Sequence, residues 1–232
     1  MNGNKVVVFS GAGISAASGL QTFRDVGGLW DKYDPHVMAS LAGWESCPET
    51  VLEFYNLRRE AIELATPSAA HRAIAQLEEK YEVIVITQNI DDLHERAGSS
   101  NVIHLHGEIK KARSTLDDND VIDIGFGPIL PGDLCKRGGQ LRPHVVWFGE
   151  VPSHLSLARR HIRDAGRVLA VGSSLSVEPA ASLLKASRYR AEKILISYDV
   201  HRKPYGYQYR RGNAETLVPL VVRNWLSGKT AF

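Results

Sequence analysis

An α/β fold, with a mostly parallel sheet, helices on both of its faces and a small inserted module, is the architecture this sequence predicts. Three observations predict it. An apolar strand, Val6 to Val8, runs directly into closely spaced glycines, and Gly11, Gly13 and Ala16 fit the G-x-G-x-x-G/A pattern of turns that carry backbone up to a phosphate. Short apolar strands then alternate with helical patterns, the rhythm of parallel sheets. Between residues 110 and 140 that rhythm stops, and Asp, Gly and Pro cluster in a turn-rich insert. The glycine pattern alone also occurs in turns that bind nothing.

In chain order, the first interval is the unusual one. A dehydrogenase places its second strand and ribose-binding acid roughly 20 residues after the glycines, whereas here the next convincing strand is Val83 to Ile86. The interval holds Thr22, Phe23, Arg24, Asp25, Gly27, Gly28 and Trp30, a polar, glycine-bearing segment able to fold over a nucleotide. Chemistry on the dinucleotide, rather than hydride transfer, is the implication. Apolar and charged residues at helical spacing predict a helix from Pro48 to Leu64, and Ser68 is placed to cap another through Ala70, Ile74 and Leu77. Strand Val83 to Ile86 delivers Thr87 to Asp92 at its carboxyl end, where open α/β sheets put ligand-binding residues. A short strand, Val102 to Leu105, presents His106 and Gly107.

Beyond the insert, Val145 to Phe148 reads as a strand, Ser156 to Arg163 as a helix, and Val168 to Val171 as a buried strand ending in Gly172, Ser173 and Ser174. Pro179 to Tyr189 reads as a helix and Ile194 to Ser197 as a strand. The last helix spans Ala214 to Leu226, with Pro219 near its first turn, where a missing N–H is tolerated.

Composition narrows the class. A chain of 232 residues with 44% hydrophobic content supports a large core. No apolar run is long enough to cross a membrane, and no leader pattern opens the chain, so a soluble cytoplasmic protein is expected. With 28 Lys and Arg against 26 Asp and Glu, electrostatics give no reason to expect nucleic-acid binding. Cys47 and Cys135 form no C-x-x-C pair and cannot supply a disulfide framework or a four-cysteine zinc site.

Seven stretches together resemble the sirtuins, NAD-dependent protein-lysine deacylases: Gly11 to Ser15, Thr22 to Asp25, Thr87 to Asp91, Leu93 to Gly98, Leu105 to Gly107, Val145 to Glu150 and Gly172 to Ser174. They occur in the family's order and approximate spacing. The resemblance implies one catalytic domain over residues 1–232, a Rossmann-type NAD-binding core whose small module takes in residues 110–140 and the helical segment 48–65. NAD and an acylated lysine of a protein or peptide would meet in the cleft between them. By the same resemblance Gly11, Ala12, Gly13, Ser15, Phe23, Arg24, Gln88, Asn89, Ile90, Asp91, Gly172, Ser173, Ser174 and Ser197 would contact NAD, although relatives commonly carry asparagine at the position of Ser197. Asn89 and His106 would be catalytic. A neutral imidazole can take a ribose hydroxyl proton near neutral pH, so His106 is assigned as general base and His104 as structural. Val146, Phe148 and Gly149 would pair with the substrate peptide and line the acyl-lysine tunnel.

Two features refine the expectation. Tyr55 and Arg58, three residues apart, share one helix face, and a phenol beside a guanidinium can bind a carboxylate. The pair resembles the signature of the sirtuin branch that removes succinyl and malonyl groups. The second feature is that the family's zinc cysteines are missing, with only Cys135 in the corresponding region. No zinc is therefore expected, and the insert would be held by Leu116, Val121, Ile122, Ile124, Phe126, Ile129 and Leu130.

The resulting expectation is a deacylase acting on acetyl and preferentially on succinyl or malonyl lysine, releasing nicotinamide and 2'-O-acyl-ADP-ribose. A sirtuin-like ADP-ribosyltransferase or NAD hydrolase is the alternative. A non-enzymatic NAD sensor would be expected to lack Asn89 or His106, and both are present.

Overall fold

The computed structural model describes residues 2–21 and 32–232, so Phe23 and Arg24 lie outside the described residues. The described strands are β1 (Asn2–Ser10), β2 (Glu82–Thr87), β3 (Val102–His104), β4 (Gly107–Ser114), β5 (Val121–Asp123), β6 (Leu141–Val145), β7 (Ala165–Val171), β8 (Glu192–Ser197) and β9 (Gln208–Arg211). The described helices are α1 (Pro35–Met38), α2 (Leu41–Ser46), α3 (Pro48–Leu64), α4 (Ala69–Gln76), α5 (Leu93–Arg96), α6 (Leu155–Asp164) and α7 (Ala214–Leu226).

Six strands form the main sheet in the order β3-β2-β1-β7-β8-β9, every pair parallel. The chain reverses its direction of growth between β1 and β7, which makes that crevice the ligand-binding switch point of such a sheet. Alternation along β1 explains the two-layer cover. Val6 and Val8 face a core completed by Ile74 and Leu77 on one side of the chain's first crossover and Val218, Val221 and Trp225 of α7. Val7 and Phe9 face the opposite core, with Ala158 and Ile162 of α6 and with Leu183 and Leu184. The Ser68 hydroxyl accepts from the His71 amide, and His71 returns a bond to the Ser68 amide, a capping box that starts α4 where the sequence places it. Among the described residues no helix is long and apolar enough to cross a membrane.

The insert differs from expectation. It is not without regular structure: β4, β5 and β6 form an antiparallel sheet in the order β5-β4-β6. Its pattern is masked because β4 and β6 carry Arg113 and Arg142, both buried, on one shared partner, Glu150. Of the expected apolar residues, Ile129 is buried and Ile124 and Phe126 pack against buried clusters, but Leu116, Ile122 and Leu130 are exposed. Leu52 of α3 joins Ala112, Ile129 and Leu141 in the small core that results. Buried Arg59 adds a bond from Nε to the Ile109 carbonyl at 2.9 Å, and Asn56 bonds both backbone groups of Ile129, so α3 is fastened to the insert.

Smaller corrections have local causes. The strand predicted over Val145 to Phe148 ends at Val145, and Phe148 instead bridges Ser40. The segment predicted as a helix from Pro179 is a 3-10 helix, Ala181–Ala186. Within it buried Ala181 and Leu184 lie three residues apart, the spacing of that helix, and buried Ala180 just before it stands in the same relation to Leu183. Pro219 sits in the second turn of α7, not the first; the carbonyl it leaves without an amide belongs to exposed Glu215, within reach of water. Strand β9, Gln-Tyr-Arg-Arg, carries no apolar alternation and escapes a sequence reading.

Candidate functional site

Every sequence-predicted nucleotide residue that is described lies at or just beyond the carboxyl end of a strand in the main sheet. Across the switch point the first loop is bonded to the loop after β7: the Gly11 amide donates to the Val171 carbonyl at 3.0 Å and the Gly13 amide to the Gly172 carbonyl at 2.8 Å. Gly172 has φ +65°, and a Cβ there would lie 2.3 Å from the Ile14 nitrogen, so only glycine fits this close approach. The chain after Gly11 makes two 3-10 turns, Ala12–Ile14 and Ala16–Ser18, in place of the helix that the glycine pattern predicts. The glycine amides thus join two loops, and the expected helix-terminus cradle for a phosphate is not what they build.

The loop after β2 is drawn into the same network. Gln88 donates its amide to the Ser10 carbonyl, and its side-chain oxygen accepts from the Ser173 hydroxyl at 2.8 Å. Asn89 Nδ2 donates to Ser15 Oγ, and Ser15 Oγ donates to Asp91 Oδ2, each at 3.1 Å. Ser15, Asn89 and Asp91 are all buried, and burial pushes the Asp91 carboxyl up against the opposing bonds from the Leu93 amide and Ser15. Ile90 accepts the Ile109 amide at its carbonyl, and Ala12 accepts the Ser15 amide. Ser174 and Ser197 stand apart from this network: Ser174 Oγ lies 2.9 Å from Ser176 Oγ, and Ser197 Oγ donates to the Asp199 carbonyl at 2.9 Å.

Residues that sequence reasoning passed over hold the loop from below. Thr87 Oγ1 accepts the Asn89 amide at 3.0 Å and the Ser10 hydroxyl at 2.9 Å, and Ser10 Oγ lies 2.9 Å from Nε2 of buried His94. His94 stacks edge-on to His71 at 4.7 Å; burial lowers both, His71 to about 4, so both remain neutral. The only sequence signal was the position of Thr87 and Ser10 at adjacent strand ends.

The two histidines of the third loop are in opposite electrostatic settings. His104 has Nδ1 3.0 Å from the Asn89 carbonyl and Nε2 2.8 Å from Glu95 Oε1, so both ring nitrogens face acceptors. Burial opposes its charge, but the Glu95 bond and charge outweigh that and raise its pKa. His106 has Nδ1 3.0 Å from the Gln88 carbonyl, and burial lowers its pKa. A carbonyl can only accept, so the Nδ1 of His106 carries the proton and Nε2 keeps its lone pair.

On the small-module side, the Val146 amide donates to the His106 carbonyl at 3.0 Å and the Phe148 amide to the Ala39 carbonyl at 2.8 Å. Phe148 is 49% exposed, and Gly149, at φ +96°, turns the chain away. Tyr55 is buried, with Trp147 Nε1 donating to its oxygen at 2.9 Å. Burial pushes the Tyr55 phenol up to about 12 and pulls the Arg58 guanidinium below its ordinary value, with Tyr55 and Asp91 opposing the latter. Arg58 lines a cavity of about 260 Å³ whose walls include Leu20, Leu57, Ala61 and Ile62.

Among the described residues no group of three His, Cys, Asp or Glu side chains is placed to hold a metal. The Cys135 thiol instead accepts from the Ser114 hydroxyl at 3.2 Å. The donor set for a dinucleotide does fit: buried hydroxyl, amide and carboxyl groups converge beside the two joined glycine loops at the switch point.

Comparison with known proteins points to one family. The Sir2 family profile matches residues 11–179. A Helicobacter pylori NAD-dependent protein deacylase is 49% identical over 182 residues, 77% of each chain. A Bacteroides thetaiotaomicron NAD-dependent protein deacylase is 42% identical over 218 residues, 90% of this chain and 93% of its own. The structure superposes on the crystal structure of a Sir2 homolog–NAD complex with a TM-score of 0.86 and 39% identity, covering 97% of this chain and 90% of that one.

Proposed function

The chain belongs to the Sir2 family and is an NAD-dependent protein deacylase, and we propose that it prefers lysine acyl groups ending in a carboxylate, succinyl and malonyl, over acetyl. The observation that carries this preference is the Arg58 cavity. A guanidinium in a cavity walled mostly by Leu20, Leu57, Ala61 and Ile62, with Gln21 beside them and a phenol one helical turn away, favours a ligand that brings a negative charge and a short apolar stem. Arg58 would take the distal carboxylate in a two-point bond, and the Tyr55 hydroxyl would add a third.

The chemistry assigned to the site's residues follows from their hydrogen bonds. NAD, when bound, would supply the anomeric carbon that the acyl carbonyl oxygen attacks as nicotinamide leaves, and the ribose hydroxyl that later receives the acyl group. Gln88, Asn89 and Asp91 would orient the nicotinamide and its ribose, held by Thr87, Ser15 and Ser173. His106 would take the ribose hydroxyl proton at Nε2, its Nδ1 proton being committed to Gln88. Gly11, Ala12, Gly13, Gly172, Ser173, Ser174 and Ser197 would contact the phosphates and adenosine, and Val146, Phe148 and Gly149 the peptide. The small module, on this reading, works without zinc.

Matched acetyl-lysine and succinyl-lysine peptides, incubated with and without NAD and followed by mass spectrometry, test the proposal. NAD-dependent loss of the succinyl group, faster than loss of acetyl and accompanied by acylated ADP-ribose, is the expected result. Free or protein-linked ADP-ribose without deacylation would transfer the assignment to an ADP-ribosyltransferase or NAD hydrolase.

A further inference from the structure

The hydroxyl of Tyr55 does not stand alone. An indole nitrogen can only donate, so the 2.9 Å bond from Trp147 Nε1 makes the Tyr55 oxygen an acceptor on that side. The phenol's own proton is left to the other side. Among the described residues, no acceptor is bonded to it. A carboxylate, with acceptor atoms only, suits that proton, and Arg58 lies one turn along the same helix face.

Trp147 is itself clamped in place. The Arg142 guanidinium lies over its ring at 3.4 Å. Glu150 accepts the Trp147 amide at 2.8 Å and both terminal nitrogens of Arg142, at 3.0 and 3.1 Å, while Arg113 pairs with the same carboxylate. Arg142 Nη2 also donates to the Val145 carbonyl at 3.1 Å. The indole of Trp147 is buried between Trp44 and Tyr55, with ring centroids 5.7 and 6.2 Å away. Two strands of the small module, β4 and β6, thus fix an indole whose one polar atom is directed at the acyl-recognising phenol.

We propose that Trp147 is a positioning residue for acyl specificity, its indole N–H orienting the Tyr55 hydroxyl as a donor to the distal carboxylate of the acyl chain. This rests on the carboxylate preference assigned to Tyr55 and Arg58. The Arg113–Glu150–Arg142 cluster is then part of the same device, because it holds the indole in register.

The test is kcat/KM for matched succinyl and acetyl peptides with the parent protein, Trp147→Phe, Tyr55→Phe and the double variant. Losing one buried hydrogen bond should lower the succinyl-to-acetyl ratio about fivefold in Trp147→Phe, chiefly through KM for the succinyl peptide. The double variant should show no loss beyond Tyr55→Phe, since both changes remove one interaction. An unchanged ratio in Trp147→Phe beside a lowered ratio in Tyr55→Phe would overturn the proposal, as would equal losses for both acyl groups. A ratio unmoved by Tyr55→Phe would instead sink the carboxylate reading on which it rests. If Trp147→Phe does not fold, Arg142→Met, which frees the indole without altering either hydrogen-bonding atom, carries the same test with the same expected fall.

Discussion

His106 Nδ1 lies 3.0 Å from the carbonyl oxygen of Gln88, and that one bond decides which ring nitrogen can act as a base. It also ties His106 to the loop proposed to hold the nicotinamide. Burial lowers the His106 pKa, which keeps the imidazole neutral and ready to accept a proton. Activity should therefore fall on the acid side with a midpoint below the ordinary value of 6.5. A kcat/KM profile on an acetyl peptide with an acid limb at 6.5 or above would contradict the assignment. His106→Ala should cost roughly 10²- to 10⁴-fold in turnover while leaving the far-ultraviolet spectrum and the melting temperature nearly unchanged.

Arg58→Met removes the charge and keeps most of the apolar stem. Charge-assisted hydrogen bonds contribute about 1.5–3 kcal/mol, so the succinyl-to-acetyl ratio of kcat/KM should fall by roughly tenfold to a hundredfold. Equal losses on the two peptides would remove the carboxylate role and leave Arg58 a structural residue.

The His104–Glu95 pair gives stability a specific pH window. His104 is raised, so its contribution is complete below its ordinary 6.5 and is lost as pH rises through the higher folded value. Glu95 is lowered because the bond and charge of His104 outweigh the cost of its burial, so its contribution is complete above its ordinary 4.5 and is lost as pH falls through the lower folded value. The pair stabilises most between those two ordinary values. Glu95 is 40% exposed, which limits the effect to about 1 kcal/mol. Denaturant titrations of the parent and Glu95→Gln should differ by about that much near pH 5.5 and converge at higher pH. A difference that persists unchanged to pH 9 would show that the ion pair is not its source.

How much of this was legible in the sequence depends on where the information resides. Helices α3 and α7 begin and end where the sequence pattern places them, Pro48 opening the first and the Asn213 side chain capping the second. The strand-end loops were legible as motifs, since the seven stretches occur together in the family's order and spacing although each alone is common. The insert was not. Its strands are stabilised by Arg113 and Arg142 buried on Glu150, and a buried ion cluster has the sequence signature of a surface. The Trp147–Tyr55 bond joins residues 92 positions apart, and no local pattern announces it. The 3-10 turns after Gly11 were also hidden, because they depend on backbone bonds to a loop that arrives from β7.

The same buried cluster bears on the metal. In a zinc-bound module, four thiolates would close the turns that here are closed by Cys135, Asp133 and Gln140 through backbone and side-chain bonds. Leu52, Ala112, Ile129 and Leu141 supply a core to this small sheet, and Arg59 and Asn56 fasten it to α3. Stability built from such contacts has no chelator-linked term, unlike a structural zinc site, whose binding energy is folding energy. Dialysis against a strong chelator should accordingly leave the melting temperature and NAD-dependent deacetylation within error of the untreated protein, with less than about 0.1 zinc per chain by elemental analysis of the purified protein. Stoichiometric zinc, or a chelator-induced fall of several degrees, would mean that ligands outside the described residues complete a site around Cys135, and the module would then owe its order to the metal.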